Sequence, residues 1–258
     1  MSLHLTLGLR ERLAAVDRPL SGMWLCSGSP LVADICAGAG HDWLLIDMEH
    51  TANSLESVLL QLQVVAAYDI AAVVRVPTGD PVLIKQVLDL GATTILVPMV
   101  DTADQARELV KAVRYPPAGM RGVGSALSRS SRWSRIPDYL ATAEDRVSLF
   151  VQIETIAAVD AAAEIVAVDG IDGIFVGPSD LAASLGLLGQ QTHPDVVAAV
   201  HRAFDAARGA EKPFGVNAFD PAAARTYAHA GARFILVGAD VVLLARGSED
   251  LSTILQSL

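Results

Sequence analysis

Eight short apolar runs rich in β-branched residues recur along the chain, each followed by a stretch of helical period, and few folds accommodate that rhythm. The runs are Gly22–Cys26, Trp43–Met48, Ala71–Pro77, Thr93–Met99, Val147–Glu154, Gly173–Asp180, Pro213–Phe219 and Phe234–Asp240. Between them lie Ala/Leu patterns with helical spacing, as in Ser54–Ala67, Pro81–Leu90, Thr102–Val113 and Pro194–Arg208. Strict alternation of strand and helix implies parallel strands joined by helical crossovers. Eight units predict a closed (β/α)₈ TIM barrel. A doubly wound open sheet would have fewer strands and a glycine-rich first turn. The 258 residues match one barrel, which typically needs about 250. No repeat, linker or low-complexity stretch divides the chain, so residues 1–258 read as a single domain.

Composition agrees with that architecture. Mean hydropathy is +0.41, and aromatics make up only 5%, so the apolar mass is Ala, Val, Leu and Ile, which suits a sheet buried on both faces. A formal net charge of −10 leaves no basic surface for nucleic acid or anionic lipid. The cluster Arg121, Arg129, Arg132 and Arg135 comes nearest to one, and reads as an ion-paired loop or a subunit contact rather than a site for a polymeric anion. No apolar stretch approaches the roughly 20 residues needed to span a bilayer. The first thirty residues lack the basic-then-apolar pattern of a signal peptide. Cys26 and Cys36 are too few for a disulfide framework and read as buried free thiols. A cytoplasmic protein without membrane or nucleic-acid partners is expected.

One excursion breaks the rhythm. From Tyr115 to Arg146 the chain carries Pro116-Pro117, the Gly119–Gly124 stretch and then a Ser/Arg-rich segment. Loops of this length inside a compact domain are usually functional. Because it follows a helix and precedes a strand, it belongs on the barrel's bottom face, unless it climbs the wall or approaches a neighbouring subunit's mouth.

Barrel enzymes hold their catalytic groups at the C-terminal strand ends, where the βα loops converge. Here those ends are polar: Asp47-Met48-Glu49-His50 after the second run, Arg75 on the third, Gln152 and Glu154 on the fifth, Asp180 on the sixth, Ser27 and Ser29 after the first, and Asn217 on the seventh. Glu154 and Asp180 could share a hard divalent cation, whose remaining positions go to water or substrate; alternatively they are helix N-caps facing solvent. Arg75 ends an apolar strand, so it marks an anionic ligand or a structural carboxylate. His50 is a general base or merely exposed. Asp89 is either an orienting partner for a histidine or a helix C-terminal residue bonded to nearby backbone. Trp24 and Trp133 read as pocket wall or packing.

The lysines narrow the chemistry. Lys85 and Lys111 lie in helical stretches and Lys212 precedes a strand at the barrel's bottom, so no lysine is placed to form a Schiff base. Strands 7 and 8 show no glycine-rich phosphate loop, which argues against a phosphorylated substrate or a flavin. An enolate made here would need a metal ion and Arg75.

At these same residues the sequence resembles the class II, metal-dependent pyruvate aldolases of the HpcH/HpaI family. The matching stretches are Gly40–His50, Val73–Arg75, Leu96–Met99, Arg114–Gly124, Val151–Thr155 and Gly177–Leu181, and coverage runs from about Gly22 to Arg246. The resemblance implies a barrel of the phosphoenolpyruvate/pyruvate type that reversibly cleaves 4-hydroxy-2-oxo acids to pyruvate, or hydroxypyruvate, and an aldehyde. Glu154 and Asp180 would hold Mg²⁺, Mn²⁺ or Co²⁺. Arg75 would stabilise the enolate, with His50, paired to Asp89, as the base. Gln152 and the backbone N–H groups after Ser179 would take the 2-oxo acid's carboxylate. It also implies a homohexamer with an exchanged C-terminal helix, here Ser248–Leu258, and a place in aromatic-compound catabolism. Met48 stands where the family carries glycine, and Pro213–Phe219 departs from the usual stretch, so the acceptor aldehyde stays open. A lyase of CoA esters, the alternative enzyme, lacks a basic platform for the CoA phosphates. A catalytically dead scaffold would be expected to lose one of Glu154, Asp180, Arg75 or His50, and all four are present.

Overall fold

β-Branched and aliphatic runs too short for helices pair side by side, and the helices between them return the chain to the same end each time. In the computed structural model, which describes residues 7–254, the strands are β1 (Leu20–Leu25), β2 (Trp43–Asp47), β3 (Ala71–Arg75), β4 (Thr94–Val97), β5 (Ser148–Ile153), β6 (Gly173–Val176), β7 (Phe214–Asn217) and β8 (Phe234–Ala239). They close into one parallel barrel in sequence order, β8 pairing with β1. The helices are α1 (Leu9–Ala15), α2 (Pro30–Ala37), α3 (Leu55–Val65), α4 (Pro81–Asp89), α5 (Ala103–Val113), α6 (Tyr139–Thr142), α7 (Ile156–Asp160), α8 (Ala162–Val166), α9 (Pro178–Ser184), α10 (Pro194–Gly209), α11 (Pro221–His229) and α12 (Asp240–Thr253). The predicted (β/α)₈ TIM barrel is therefore the fold. Among the described residues, no helix is long and apolar enough to cross a membrane.

Every expected strand runs past its observed end, furthest at β6. β4 stops at Val97 and β6 at Val176, because Pro98 and Pro178 lack the N–H that the ladder needs. Pro178 instead opens α9, so Asp180 lies in a helix's first turn and not on the strand.

The scarce aromatics are not spread evenly. Trp43, Phe150, Phe175 and Phe234 fill the barrel's interior in mutual contact, mostly edge-to-face, with centroids 5.2–6.5 Å apart. Space for this layer comes from glycine: a Cβ on Gly22 would lie 2.2 Å from the Trp43 ring, and one on Gly215 would lie 2.4 Å from that of Phe234. Leu9 and Leu13 of α1 join the same inner cluster. The excursion lies on the bottom face, as expected, where Arg129 donates to Leu62 O at 3.2 Å and Leu90 O at 3.0 Å, beside the C-termini of α3 and α4.

The last helix packs differently from the others. Among its described residues only Asp240 is buried, while Leu243, Leu244, Leu251 and Ile254 are each more than half exposed. Asp240 anchors the helix by accepting the N–H groups of Cys26 and Ser27 at the end of β1. The expected terminal element Ser248–Leu258 falls partly outside the described residues.

Because the aromatic layer leaves no slack, Gly22→Ala is expected to cost about 1–3 kcal/mol by overpacking. Urea unfolding of the two proteins measures this, and an unchanged midpoint would mean that the ring accommodates the methyl group.

Candidate active site

The C-terminal strand ends surround a cavity of about 290 Å³ whose lining includes Trp24, Asp47, His50, Arg75, Gln152, Ser179 and Asp180. Arg75 is its centre. β2 and β3 pair in register with Asp47 beside Arg75, so a cation on one strand meets an acid on the next. Arg75 Nε donates to Asp47 Oδ1 at 2.7 Å, Nη1 lies 2.8 Å from Glu49 Oε2, and the guanidinium stacks on Trp24 at 4.3 Å. Nη2 bonds no protein group among the described residues. Arg75 is thus both structurally paired and part of the cavity wall, so the two sequence alternatives coexist. Trp24 is pocket wall, and its Nε1 donates to Asn217 Oδ1 at 2.9 Å.

Asp47 and Glu49 were not singled out in the sequence. Asp47 also accepts the backbone N–H groups of Glu49 and His50, which shapes the β2–α3 loop. A buried cation needs an acid, and the nearest ones on the adjacent strand at the same register were the available signal. His50 sits in the cavity rim with a side chain 67% exposed, its Nε2 3.8 Å from Glu49 Oε2.

Glu154 follows β5 and is almost fully buried. It is no helix cap, since Thr155 caps α7. Its Oε1 accepts the N–H of Met99 at 2.6 Å and its Oε2 accepts from Gln152 Nε2. To aim that N–H, Met99 adopts a left-handed backbone with φ 55°, a strained state for a side chain of this size. Burial pushes the Glu154 carboxyl up to about 7, and the carboxylates of Glu49 and Asp180 push in the same direction against the two hydrogen bonds. Glu49 is likewise raised, chiefly by burial, in spite of Arg75.

Three acids thus converge where negative charge is unfavourable. In addition, Gln152 Oε1 is buried without a hydrogen-bond partner. Gly177 belongs to the same cradle: a Cβ there would come within 3.0 Å of both Glu154 Oε2 and Gln152 Nε2. Raised carboxyls, an orphaned amide oxygen and room left by a glycine fit a hard divalent cation. Among the described residues no three His, Cys, Asp or Glu side chains form a cage. Two carboxylates with open positions remain the set on which a chelating ligand could share an ion.

The rest of the expected set divides. Asp180, in the first turn of α9, lines the cavity and adds negative potential to Glu154. Ser179 lines it too, with its Oγ accepting from Gln191 Nε2 at 3.2 Å. Asp89 is not brought to His50. It is the last residue of α4, at the opposite end of the barrel, and Arg121 Nη2 donates to it at 2.9 Å. The His50–Asp89 dyad within one chain is therefore corrected: a helix that returns the chain to the bottom carries its C-terminal acid away from the mouth. Three of the four clustered arginines also part company. Arg121 pairs with Asp89 and stacks on Tyr115, Arg135 stacks on half-exposed Trp133, and Arg129 caps helix ends. Cys26 lines the mouth with its thiol pushed up to about 12, first by burial and then by Asp240 and Asp47, so it stays protonated and is no nucleophile. Lys212 donates to Val168 O, away from the mouth.

The raised Glu154 carboxyl makes a signed prediction. Its folded-state pKa exceeds the unfolded one, so the metal-free protein loses stability as pH rises through about 7. A cation competes with that proton, so the increase in melting temperature on adding Mg²⁺ to chelator-treated protein should be larger at pH about 8 than at about 6. Scanning calorimetry at the two pH values checks this, and equal increments would contradict it.

Comparison with known proteins places the chain in a family. The family model described as HpcH/HpaI aldolase/citrate lyase matches residues 20–247. A hydroxypyruvate/pyruvate aldolase of Deinococcus radiodurans is 54% identical over 238 residues, covering 92% of this chain and 86% of that protein. A 4-hydroxy-2-oxo-heptane-1,7-dioate aldolase of Salmonella dublin is 52% identical, covering 91% of this chain and 89% of its own length. Among solved structures, an HpcH/HpaI aldolase/citrate lyase family protein from Burkholderia cenocepacia superposes with a TM-score of 0.91 at 43% identity, covering 96% of this chain and 98% of that one. The barrel and these matches agree, and the chain belongs to the HpcH/HpaI aldolase/citrate lyase family.

Proposed function

We propose that the chain, acting as one barrel domain over residues 1–258, is a divalent-metal-dependent pyruvate aldolase that reversibly cleaves 4-hydroxy-2-oxo acids to pyruvate or hydroxypyruvate and an aldehyde. The observation that carries this reading is Arg75, held between Asp47 and Glu49 with Nη2 unclaimed by protein, in the same mouth as Gln152 and Asp180. The aldolase names of relatives more than half identical support it.

Glu154 and Asp180 would hold the ion, which when bound supplies Lewis-acid polarisation of the 2-oxo acid's oxygens. Mg²⁺, Mn²⁺ and Co²⁺ all suit this oxygen set. Arg75 presents Nη2 to the carbonyl oxygen and stabilises the negative charge that grows there as the carbon–carbon bond breaks. Because Asp47 and Glu49 fix the guanidinium beforehand, little reorganisation opposes the step. Gln152 and Ser179 orient the carboxylate end. His50, the exposed base at the rim, takes the proton from the C4 hydroxyl during cleavage and returns it in the reverse addition. Trp24 and Phe219 are wall residues of the aldehyde side, and they exclude water from it.

The exposed face of α12 supports a reading of the assembly. We read its exposed Leu243, Leu244, Leu251 and Ile254 as the face exchanged between copies of a homohexamer, since so long an apolar stripe is unusual on a free surface. In such an assembly Asp89 of one copy could serve His50 of another, the only arrangement left for that pair. A cytoplasmic location, expected from the sequence, and a role in breakdown of aromatic compounds, implied by the resemblance, complete the reading.

Two measurements test these points. Proton NMR of pyruvate in D₂O should show methyl-proton loss catalysed by the metal-loaded protein, abolished by chelator, and cut severely by Arg75→Ala. Removing that donor should cost about 3–4 kcal/mol of transition-state stabilisation; undiminished exchange in the chelated protein would remove the metal from the reaction. Separately, light scattering after gel filtration should give six chain masses for the native protein and a smaller species for the double substitution Leu243→Asp, Leu244→Asp. A monomeric native protein would refute the assembly.

A further inference from the structure

A second cavity, of about 270 Å³, lies at the opposite end of the barrel from the mouth, under the Tyr115–Arg146 excursion. Arg129 and Arg132 line it, and they also line a smaller void behind Gly91 and Thr93. Ala92, Ile136, Tyr139 and Val147 give it an apolar side. It shares no residue with the mouth.

The charge at this place is unbalanced. Arg129 is nine-tenths buried, yet its guanidinium bonds only the neutral carbonyls of Leu90 and Leu62. Burial, with Arg132 as a like-charged neighbour, lowers its pKa to about 10. Arg132 is half-buried, its pKa is lowered by burial, and its side chain has no hydrogen bond or ion pair among the described residues. Two acids stand on the rim. Glu11 is paired with Arg10 at 3.2 Å, and Asp145 is exposed; neither is within ion-pair distance of Arg129 or Arg132. Desolvated guanidinium without a counter-charge is unfavourable, and proteins normally supply a carboxylate or a ligand.

The backbone reinforces the point. Arg132, Trp133 and Ser134 adopt left-handed conformations in succession, with φ of 54°, 54° and 61°. Three non-glycine residues in that region cost about 1 kcal/mol or more each, and such strain collects at ligand clamps. The turn is pinned where Ser131 Oγ accepts the N–H of Ser134 at 2.8 Å. That anchoring fixes the segment on which Arg132 stands.

We infer that this cavity is a binding site for a small organic monocarboxylate, whose oxygens are received by Arg132 and Arg129 and whose apolar body packs on Ile136, Tyr139 and Val147. The planar fork of arginine suits a carboxylate, and a wall with several apolar side chains favours an acid with a hydrocarbon body over inorganic phosphate. The site is separate from the proposed aldol chemistry and does not depend on it.

Isothermal titration of the full-length protein with benzoate, acetate and inorganic phosphate tests the inference. Benzoate should bind, with acetate and phosphate each at least about tenfold weaker. Arg132→Gln should weaken benzoate about tenfold or more, and Arg132→Lys, which keeps the charge without the fork, by an intermediate factor. Arg75→Ala, altered only at the mouth, should bind benzoate within about twofold of the native protein, so loss at one site is read apart from loss at the other. No heat from millimolar benzoate with the native protein would overturn the inference, as would benzoate binding lost in Arg75→Ala. Phosphate binding more tightly than benzoate would overturn the carboxylate assignment. The native and Arg75→Ala titrations decide the matter even if the Arg132 variants do not fold.

Discussion

The mouth of this barrel is organised by one buried ion pair. Arg75 and Asp47 are both almost wholly removed from solvent, and each would be costly there alone. Their pairing is built into the sheet, because β2 and β3 place the two residues opposite each other in register. From Asp47 the order spreads outward: its carboxylate takes two backbone N–H groups and thereby turns the chain toward His50. From Arg75 it spreads to Glu49 and to the Trp24 ring. Removing either member would leave the other as an uncompensated buried charge.

Beside this balanced pair lies an unbalanced group. Glu154 is desolvated close to Asp180 and Glu49, so burial first, and then those two carboxylates, raises its carboxyl. Hydrogen bonds from Met99 and Gln152 hold Glu154 in place without neutralising it. A site that is oriented but short of positive charge is suited to a cation, and the left-handed turn at Met99 is the local strain that maintains it.

Much of this was legible in the sequence, for identifiable reasons. Eight short, continuous apolar runs separated by helical stretches have one common solution, so the barrel could be read directly. Polar residues ending such runs had to gather at one rim, which brought Arg75, Gln152 and His50 together. Reading failed where a single residue redirects the chain. Pro178 turns a strand into a helix and moves Asp180 onto it. Asp89 was open to two readings, a histidine's partner or a helix C-terminal residue; it is the latter, and its three-dimensional partner, Arg121, lies 32 residues further on, beyond what local sequence can show. Asp47 and Glu49 stood out only as polar residues ending a strand, because an acid's value as counter-ion depends on strand register, which composition does not carry. The aromatic filling of the barrel was equally hidden, since a low aromatic fraction says nothing of where the few rings go.

That aromatic layer has a consequence for traffic. Trp43, Phe150, Phe175 and Phe234 close the barrel's bore, and α1 backs them from below, so nothing passes through the barrel from end to end. Both reactants of the proposed aldol reaction must then use the one opening. In the proposed reading the 2-oxo acid, held by Arg75 and by an ion on the carboxylates, would take the inner place, with the aldehyde between it and solvent. A blind cul-de-sac of this kind imposes an order of events: in the synthetic direction the inner partner loads first, and in cleavage the aldehyde leaves before pyruvate can.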